Sequence, residues 1–164
     1  MDGSDEGAGT APSPSAREFV DTVLAASQMM VAVAARSLDA GAAEVTLPQF
    51  RVLVVLSVRG AQRPGDLATD LVVEPSTATR MCDRLVRKDL IARRHSTQDR
   101  RTVVVELTDS GQTLVNTVMA RRRREFERLA ATVPADQHQA VITALGVLLD
   151  ASGPRPDRDP AYWT

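Results

Sequence analysis

Side chains suited to binding a polyanion are concentrated between residues 76 and 104 of this sequence. That stretch contains eight arginines and lysines against three aspartates, a net charge of +5, whereas the whole chain of 164 residues carries −1. Hydroxyl side chains are interspersed with the cations. Phosphate contact depends on where positive charge lies rather than on its total, so this stretch is the first candidate for a functional surface.

The first group of candidate residues lies on a predicted helix over residues 75–88. Pro75 suits the first helical turn because its φ is fixed and it lacks an N–H. Apolar residues recur at helical spacing, which leaves the opposite face to hydroxyl groups near the start and to cations further along. Such a helix fits the DNA major groove, where side chains reach base edges and phosphates. We predict base contacts from Thr77, Thr79, Arg80 and Arg84, and phosphate contacts from Ser76, Arg87 and Lys88.

The second group lies in a predicted β-hairpin, or wing, that follows this helix. Residues 102–107 alternate with a period of two, with Val103, Val105 and Leu107 on one face, which predicts a strand. Residues 90–95 are its expected partner. The polar loop between the strands is flanked by arginines and would reach an adjacent groove or the DNA backbone. The wing residues predicted to contact DNA are Arg94, Ser96, Thr97, Gln98 and Arg100.

Helical segments precede both groups. Apolar residues recur every three or four positions over residues 16–40, which predicts a first helix. Thr46 and Gln49 form a capping box that begins a second helix, from Leu47 to about Val58. A short third helix covers residues 65–71, and residues 72–74 form the turn before Pro75. Two short helices joined by a tight turn and followed by a basic hairpin favour a DNA-binding unit over the solvated face of an ordinary helix.

The predicted architecture is mainly α-helical with a small β-hairpin, a winged helix-turn-helix. Residues 1–15 and 152–164 lack an apolar period and are interpreted as tails. Between them we predict one domain, residues 16–151, with a DNA-binding core at about 47–107. Thr108 caps a fifth helix that runs to about Thr132, and Pro134 begins an apolar sixth helix. The terminal helices, at about 16–40 and 108–151, are expected to form a dimer interface because their apolar residues need a partner surface.

Few residue types are present from which an active site or a metal centre could be built. The chain has two histidines, His95 and His138, one cysteine and no glycine-rich phosphate loop. We therefore predict no enzymatic activity, no catalytic residues and no cofactor. Ligands paired at metal-binding spacings are also missing, so no Cys or His metal site is predicted. Cys82 lies on the apolar stripe and is interpreted as a buried core residue rather than a redox sensor.

The location of the protein follows from two further features of the sequence. The N-terminus has no leader with cationic, apolar and small-residue parts, and no uninterrupted apolar stretch approaches the roughly 18 residues of a membrane span. We expect a cytoplasmic protein without a membrane partner.

The four consecutive arginines at 121–124 point around most of a helix, so they are interpreted mainly as solvated or inter-subunit charge.

The order of these motifs resembles the MarR family of bacterial transcription regulators. The resemblance covers nearly the whole chain between the tails, and its segments are specific in this order and spacing. They are LPQFRVL at 47–53, DLA at 66–68, PSTATRMCDRL at 75–85, DRR at 99–101 and LTDSG at 107–111.

The resemblance implies a two-fold homodimer that binds a near-palindromic operator in double-stranded DNA. It also implies a repressor that is released by a small-molecule effector. In the wing it assigns structural roles to Asp99 and Arg101, places Arg100 in the minor groove, and makes Asp83 the helix residue that pairs with a wing arginine.

Two positions depart from the family pattern, which usually has glycine where this chain has Val72 and Asp89. We expect Asp89 to adopt left-handed backbone geometry and Val72 to take an ordinary conformation.

An alternative function of a different class is a helical dimer whose winged domain serves as a protein-interaction module without specific DNA binding. Mild salt dependence and no DNA affinity would favour that alternative.

Overall fold

The computed structural model describes residues 13–39, 45–96 and 101–152, and the chain divides into two compact units. The first unit ends at Ala32 and contains most of α1 (Pro14–Asp39). The second unit, from Val33 onward, contains the other elements. They are α2 (Leu47–Arg59), α3 (Pro64–Leu71), α4 (Pro75–Arg87), β1 (Ile91–His95), β2 (Val103–Leu107), α5 (Asp109–Ala130), a 3-10 turn (Ala135–Gln137) and α6 (His138–Ala151). The predicted class, mainly helical with a two-stranded hairpin, is confirmed.

Both helix starts that were predicted from caps are confirmed. At the start of α2, the Gln49 N–H donates to the Thr46 hydroxyl at 3.4 Å, and the Thr46 N–H donates to the Gln49 side chain at 3.1 Å. At the start of α5, the Gly111 N–H donates to the Thr108 hydroxyl at 3.1 Å. These bonds satisfy N–H groups that the first helical turn leaves without partners.

The core of the second unit is formed by α2, α3, α4, the hairpin and the first half of α5. Burial of each large apolar side chain contributes about 1.5–3 kcal/mol. Because α4 contributes several of these side chains, the core holds α4 in place. The completely enclosed side chains are Val52, Leu53, Leu67, Ala78, Cys82, Leu85, Val105 and Val118.

The hairpin is antiparallel, with Ile91 opposite Leu107 and His95 opposite Val103. Gln62 forms an isolated antiparallel bridge to the free edge of β2, since it exchanges backbone hydrogen bonds of 2.9 and 2.8 Å with Val105. Burial along β2 differs from the simple alternation that we predicted. Val104 is also buried, because the segment before α3 lies near it, whereas Val103 is exposed at the far end of the hairpin.

The predicted tails fall mostly outside the described residues. Within them, α1 begins at Pro14, two residues earlier than predicted. By length and composition alone, residues Pro14–Leu38 of α1 could cross a membrane, although the sequence analysis identified no such stretch. A single helix of this kind is weak evidence for a membrane protein, because helices of soluble proteins pass the same test.

Candidate nucleic-acid interface

One face of α4 packs into the core and the other lies at the surface. Ala78, Cys82 and Leu85 are fully enclosed, and Met81 is nearly so. Because these residues are spaced three or four positions apart, they form one apolar stripe that packs against the core. The start of α4 is closed by the backbone, because the N–H groups of residues 77 and 78 donate to the Glu74 carbonyl at 2.8 and 3.1 Å.

The residues of α4 that were predicted to contact DNA lie away from this stripe. Three of them are already engaged within the helix. The Thr79 hydroxyl donates to the Pro75 carbonyl at 3.0 Å, and the Arg80 guanidinium donates to the Thr77 hydroxyl at 3.1 Å. Thr77 and Lys88 are half-buried, and the exposed members are Ser76, Thr79, Arg80, Arg84 and Arg87.

Arg84 and Arg87 leave positive charge on this face that the described residues do not neutralise. Neither guanidinium forms an ion pair with any described residue. A long cation that has no internal carboxylate keeps its full attraction for an external anion. The exposed face of α4 is therefore suited to bind phosphate groups and to reach the acceptor edges of bases.

Two arginines of β1 are held by carboxylates. Arg93 pairs with Asp83 of α4 at 2.5 Å, and Arg94 pairs with Glu106 of β2 at 2.5 Å. The first pair ties the wing to α4: Asp83 pairs with an arginine of the wing, and that arginine is Arg93, which the sequence analysis did not name. Both pairs are partly exposed and thus contribute little to stability, on the order of 0–1 kcal/mol.

Most of the loop at the tip of the wing lies outside the described residues. The DNA contacts predicted for Thr97, Gln98 and Arg100, and the structural role predicted for Asp99, therefore stay predictions. At the ends of the loop, the Ser96 N–H donates to the Thr102 carbonyl at 2.8 Å, and Arg101 is exposed. The hairpin pairing thus continues beyond His95 and Val103 to the two ends of the loop.

Comparisons with known proteins agree with this arrangement. The model of the MarR family matches residues 45–103, from the start of α2 into the wing. The transcriptional repressor MdtR of Bacillus subtilis is 42% identical over 84 residues, which are 51% of this chain and 54% of that protein. The chain therefore aligns with about half the length of this relative.

Solved structures extend the match to most of the chain. The crystal structure of RV1404 from Mycobacterium tuberculosis is 35% identical, has a TM-score of 0.80, and is covered to 99% by 88% of this chain. The chain belongs to the MarR family. A MarR family protein from Bacillus stearothermophilus shares the fold at 21% identity, with a TM-score of 0.74 over 87% of this chain and 99% of that one.

The turn between α3 and α4 differs from what we expected for a MarR domain without glycine there. Val72 adopts left-handed geometry, with φ 56° and ψ 54°, so the prediction of an ordinary conformation is wrong. The reason is that its N–H must close α3 on the carbonyls of Ala68 and Thr69 while its neighbours pack inward. Asp89, with φ 54°, is left-handed as predicted.

The end of α4 and the start of α5 are joined at one point, which the sequence analysis missed. The Thr108 hydroxyl donates to the Asp89 carbonyl at 2.6 Å, and the Thr108 N–H donates to the Leu90 carbonyl at 3.2 Å. Gly111 lies so close to Leu90 that an added Cβ would come within 2.0 Å of its carbonyl oxygen. The Thr-x-x-Gly spacing in the MarR motif was the available signal, but it was interpreted only as a helix cap.

Burial shifts the pKa of two titratable groups of this MarR domain. Burial raises the pKa of the Cys82 thiol, in agreement with the interpretation of Cys82 as a core residue. Burial also lowers the pKa of Arg122, whose guanidinium lies 5.7 Å from the centre of the Phe50 ring. Arg122 therefore covers part of the core, whereas the run at 121–124 was predicted to be mainly solvated or inter-subunit charge; Arg123 and Arg124 are exposed. Among the described residues, no group of three His, Cys, Asp or Glu side chains is placed to hold a metal ion.

Proposed function

We propose that this chain is a sequence-specific DNA-binding transcriptional regulator that represses as a homodimer and is released by a small-molecule effector. The observation that carries the proposal is the exposed cationic face of α4. This helix follows α3 after a short turn and is itself followed by the β-hairpin. In this arrangement the second helix of the pair enters the major groove and the first crosses the backbone. The relative MdtR is named as a repressor, which supports the direction of regulation.

The contact residues of the proposal divide by the chemistry that they offer. Arg84 lies in the middle of the exposed face and has no carboxylate partner among the described residues, so it is assigned to base reading, as are Arg80 and the nearby threonines. Arg87 and Lys88 lie at the end of α4 and are assigned to phosphates. The wing contacts are assigned to Arg94, Ser96, Thr97, Gln98 and Arg100, of which Arg100 would enter the minor groove.

Dimerisation is supported by apolar side chains that the chain alone leaves in water. Within α6, Val141, Ile142, Val147 and Leu149 are all exposed by about half or more. Exposed apolar surface of this kind marks an interaction site in soluble proteins. A two-fold pair would present two copies of α4, so the operator is expected to be a near-palindrome.

Release by an effector requires that the ligand bind the DNA-incompetent state more tightly. A tenfold preference shifts the equilibrium by only about 1.4 kcal/mol, so effective release needs a larger difference in affinity. Titrating candidate effectors into the protein–DNA complex tests this part of the proposal separately from DNA binding.

The decisive experiment measures DNA binding by fluorescence anisotropy at several salt concentrations. The two probes are DNA from upstream of the gene itself and a scrambled duplex of equal length. We expect preference for the upstream DNA, and a loss of about 1–3 kcal/mol of that preference in Arg84→Ala, because one bidentate base contact is removed. Arg123→Ala is the matched control, since it removes an exposed arginine of α5 whose partner is a neighbouring glutamate.

Two results would contradict the proposal. Equal binding to both duplexes, with Arg84→Ala unchanged, would assign α4 no role in reading sequence. Absence of any salt-dependent DNA binding would instead favour a protein-interaction module.

A further inference from the structure

A cleft of about 250 Å³ lies between the wing and the segment that leads into α3. Neither its position nor its residues were part of the sequence-based DNA-binding surface, apart from Arg94 and Ser96. The residues that line it are Ala61, Gln62, Arg63, Asp66, Arg94, Ser96 and Val104.

The walls of this cleft are fixed by the fold. Gln62 is held on β2 by two backbone hydrogen bonds with Val105, and its side-chain amide donates to the Arg59 carbonyl at 3.2 Å. Nη1 of Arg59 in turn donates to both carboxylate oxygens of Asp70 of α3, at 2.9 and 2.7 Å. On the side of Gln62, a ligand would therefore meet a wall that the fold already holds in place.

One cation of the cleft has no ion-pair partner within the described part of the chain. Arg94 is paired with Glu106 across the hairpin, whereas Arg63 is exposed and makes no ion pair with any described residue. Asp66 is the acidic group on the same wall. Arg63 is thus the group from which an incoming anion gains most, and Asp66 is the group that limits the gain.

The position of the cleft indicates which anion it would bind. It lies between the wing and α3, the first helix of the helix-turn-helix. When α4 occupies the major groove and the wing reaches the adjacent groove, the strand between the grooves crosses this side of the domain, and the first helix lies on that backbone. We propose that the cleft receives a backbone phosphate of bound DNA and that Arg63 is its principal contact. This inference rests on the proposed DNA-binding function.

A phosphate contact of this kind anchors register and carries no sequence information. Each neutralised phosphate contributes about −0.9 to the slope of log affinity against log salt concentration. Arg63→Gln is therefore expected to reduce the magnitude of that slope by about 1. It should also weaken binding to upstream and to scrambled DNA by the same factor. Asp66→Asn is expected to strengthen binding to both duplexes, because it removes the opposing charge.

The test measures salt slopes for the full chain and the variants Arg63→Gln, Asp66→Asn and Arg123→Gln. Arg123→Gln is the control and should retain the slope of the unmodified chain. An unchanged slope in Arg63→Gln, while the unmodified chain binds DNA normally, overturns the inference and leaves the proposed function intact. If the unmodified chain itself shows no salt-dependent DNA binding, the proposed function is overturned instead.

A second measurement separates DNA from free phosphate. Thermal unfolding is followed with inorganic phosphate and with chloride at matched ionic strength. Equal midpoints in both salts, together with the reduced slope of Arg63→Gln, support a site that is completed only by DNA. Phosphate stabilisation that disappears in Arg63→Gln, combined with an unchanged DNA slope, would assign the cleft to a free phosphate compound and overturn the inference.

Discussion

Val72 shows how a single residue carries backbone strain at the centre of the DNA-binding unit. Left-handed geometry costs an L-residue roughly 1–2 kcal/mol, and the side chain of Val72 is 89% exposed, so it recovers little by packing. Val72→Gly removes the steric cost and adds about 0.5–1 kcal/mol of chain entropy. We expect a net gain of up to about 1 kcal/mol in the free energy of unfolding, measured by urea denaturation. Val72→Ala keeps the Cβ and should gain less, and equal stability of the two variants would show that the turn is not strained.

Cys82 gives a pH dependence at the same scale. Burial raises the pKa of its thiol in the folded state, so the folded chain holds this proton more tightly than the unfolded chain does. The corresponding stability is fully present below the unfolded pKa of about 8.5 and is lost as the pH rises through the folded value. Urea denaturation between neutral pH and pH 10 should show a loss in the unmodified chain that Cys82→Ala lacks. Parallel curves for the two proteins would contradict this assignment.

The joint between α4 and α5 is an element-scale constraint, and Gly111 is its most restricted position. A Cβ there would approach the Leu90 carbonyl oxygen to 2.0 Å, and that oxygen cannot retreat easily because it accepts the Thr108 N–H. We expect Gly111→Ala to lower the free energy of unfolding by about 3 kcal/mol, in the upper range for overpacking. Gly65→Ala is the control, since a Cβ at Gly65 meets no atom within 4 Å. A loss under 1 kcal/mol in Gly111→Ala would mean that the two elements separate freely.

The elements of this fold were more predictable than the contacts between them. Local signals sufficed for α2, α4 and the hairpin, because caps, proline and periodicity act within a few residues. The geometry of Val72 was not predictable in this way, since it is imposed by the packing of α3 against α4. The Asp83–Arg93 pair and the cleft at Arg63 likewise depend on how distant segments meet. Arg63 has no motif of its own, and the role proposed for it depends on the pairing of Gln62 with β2.

At the scale of the whole molecule, the exposed apolar face of α6 links assembly to DNA affinity. A stable interface buries about 1,200–2,000 Å², and apolar side chains at its centre contribute most of the affinity. Ile142 is 61% exposed in the single chain, so a charge there costs the monomer little but would be buried in a dimer. Ile142→Asp is therefore expected to shift the chain from dimer to monomer, as measured by sedimentation equilibrium.

The same variant tests whether two copies of α4 act together on DNA. Linking two half-site contacts raises affinity by about 10²–10⁴ over one, without any new contact. Ile142→Asp should therefore reduce affinity for a two-half-site operator toward that of a single half-site, and leave binding to the half-site itself unchanged. Gln139→Asp, which places the same charge at an exposed polar position of α6, is the control and should remain dimeric. If Ile142→Asp becomes monomeric yet keeps full operator affinity, dimerisation and DNA binding are independent, because each copy then binds without help from the other.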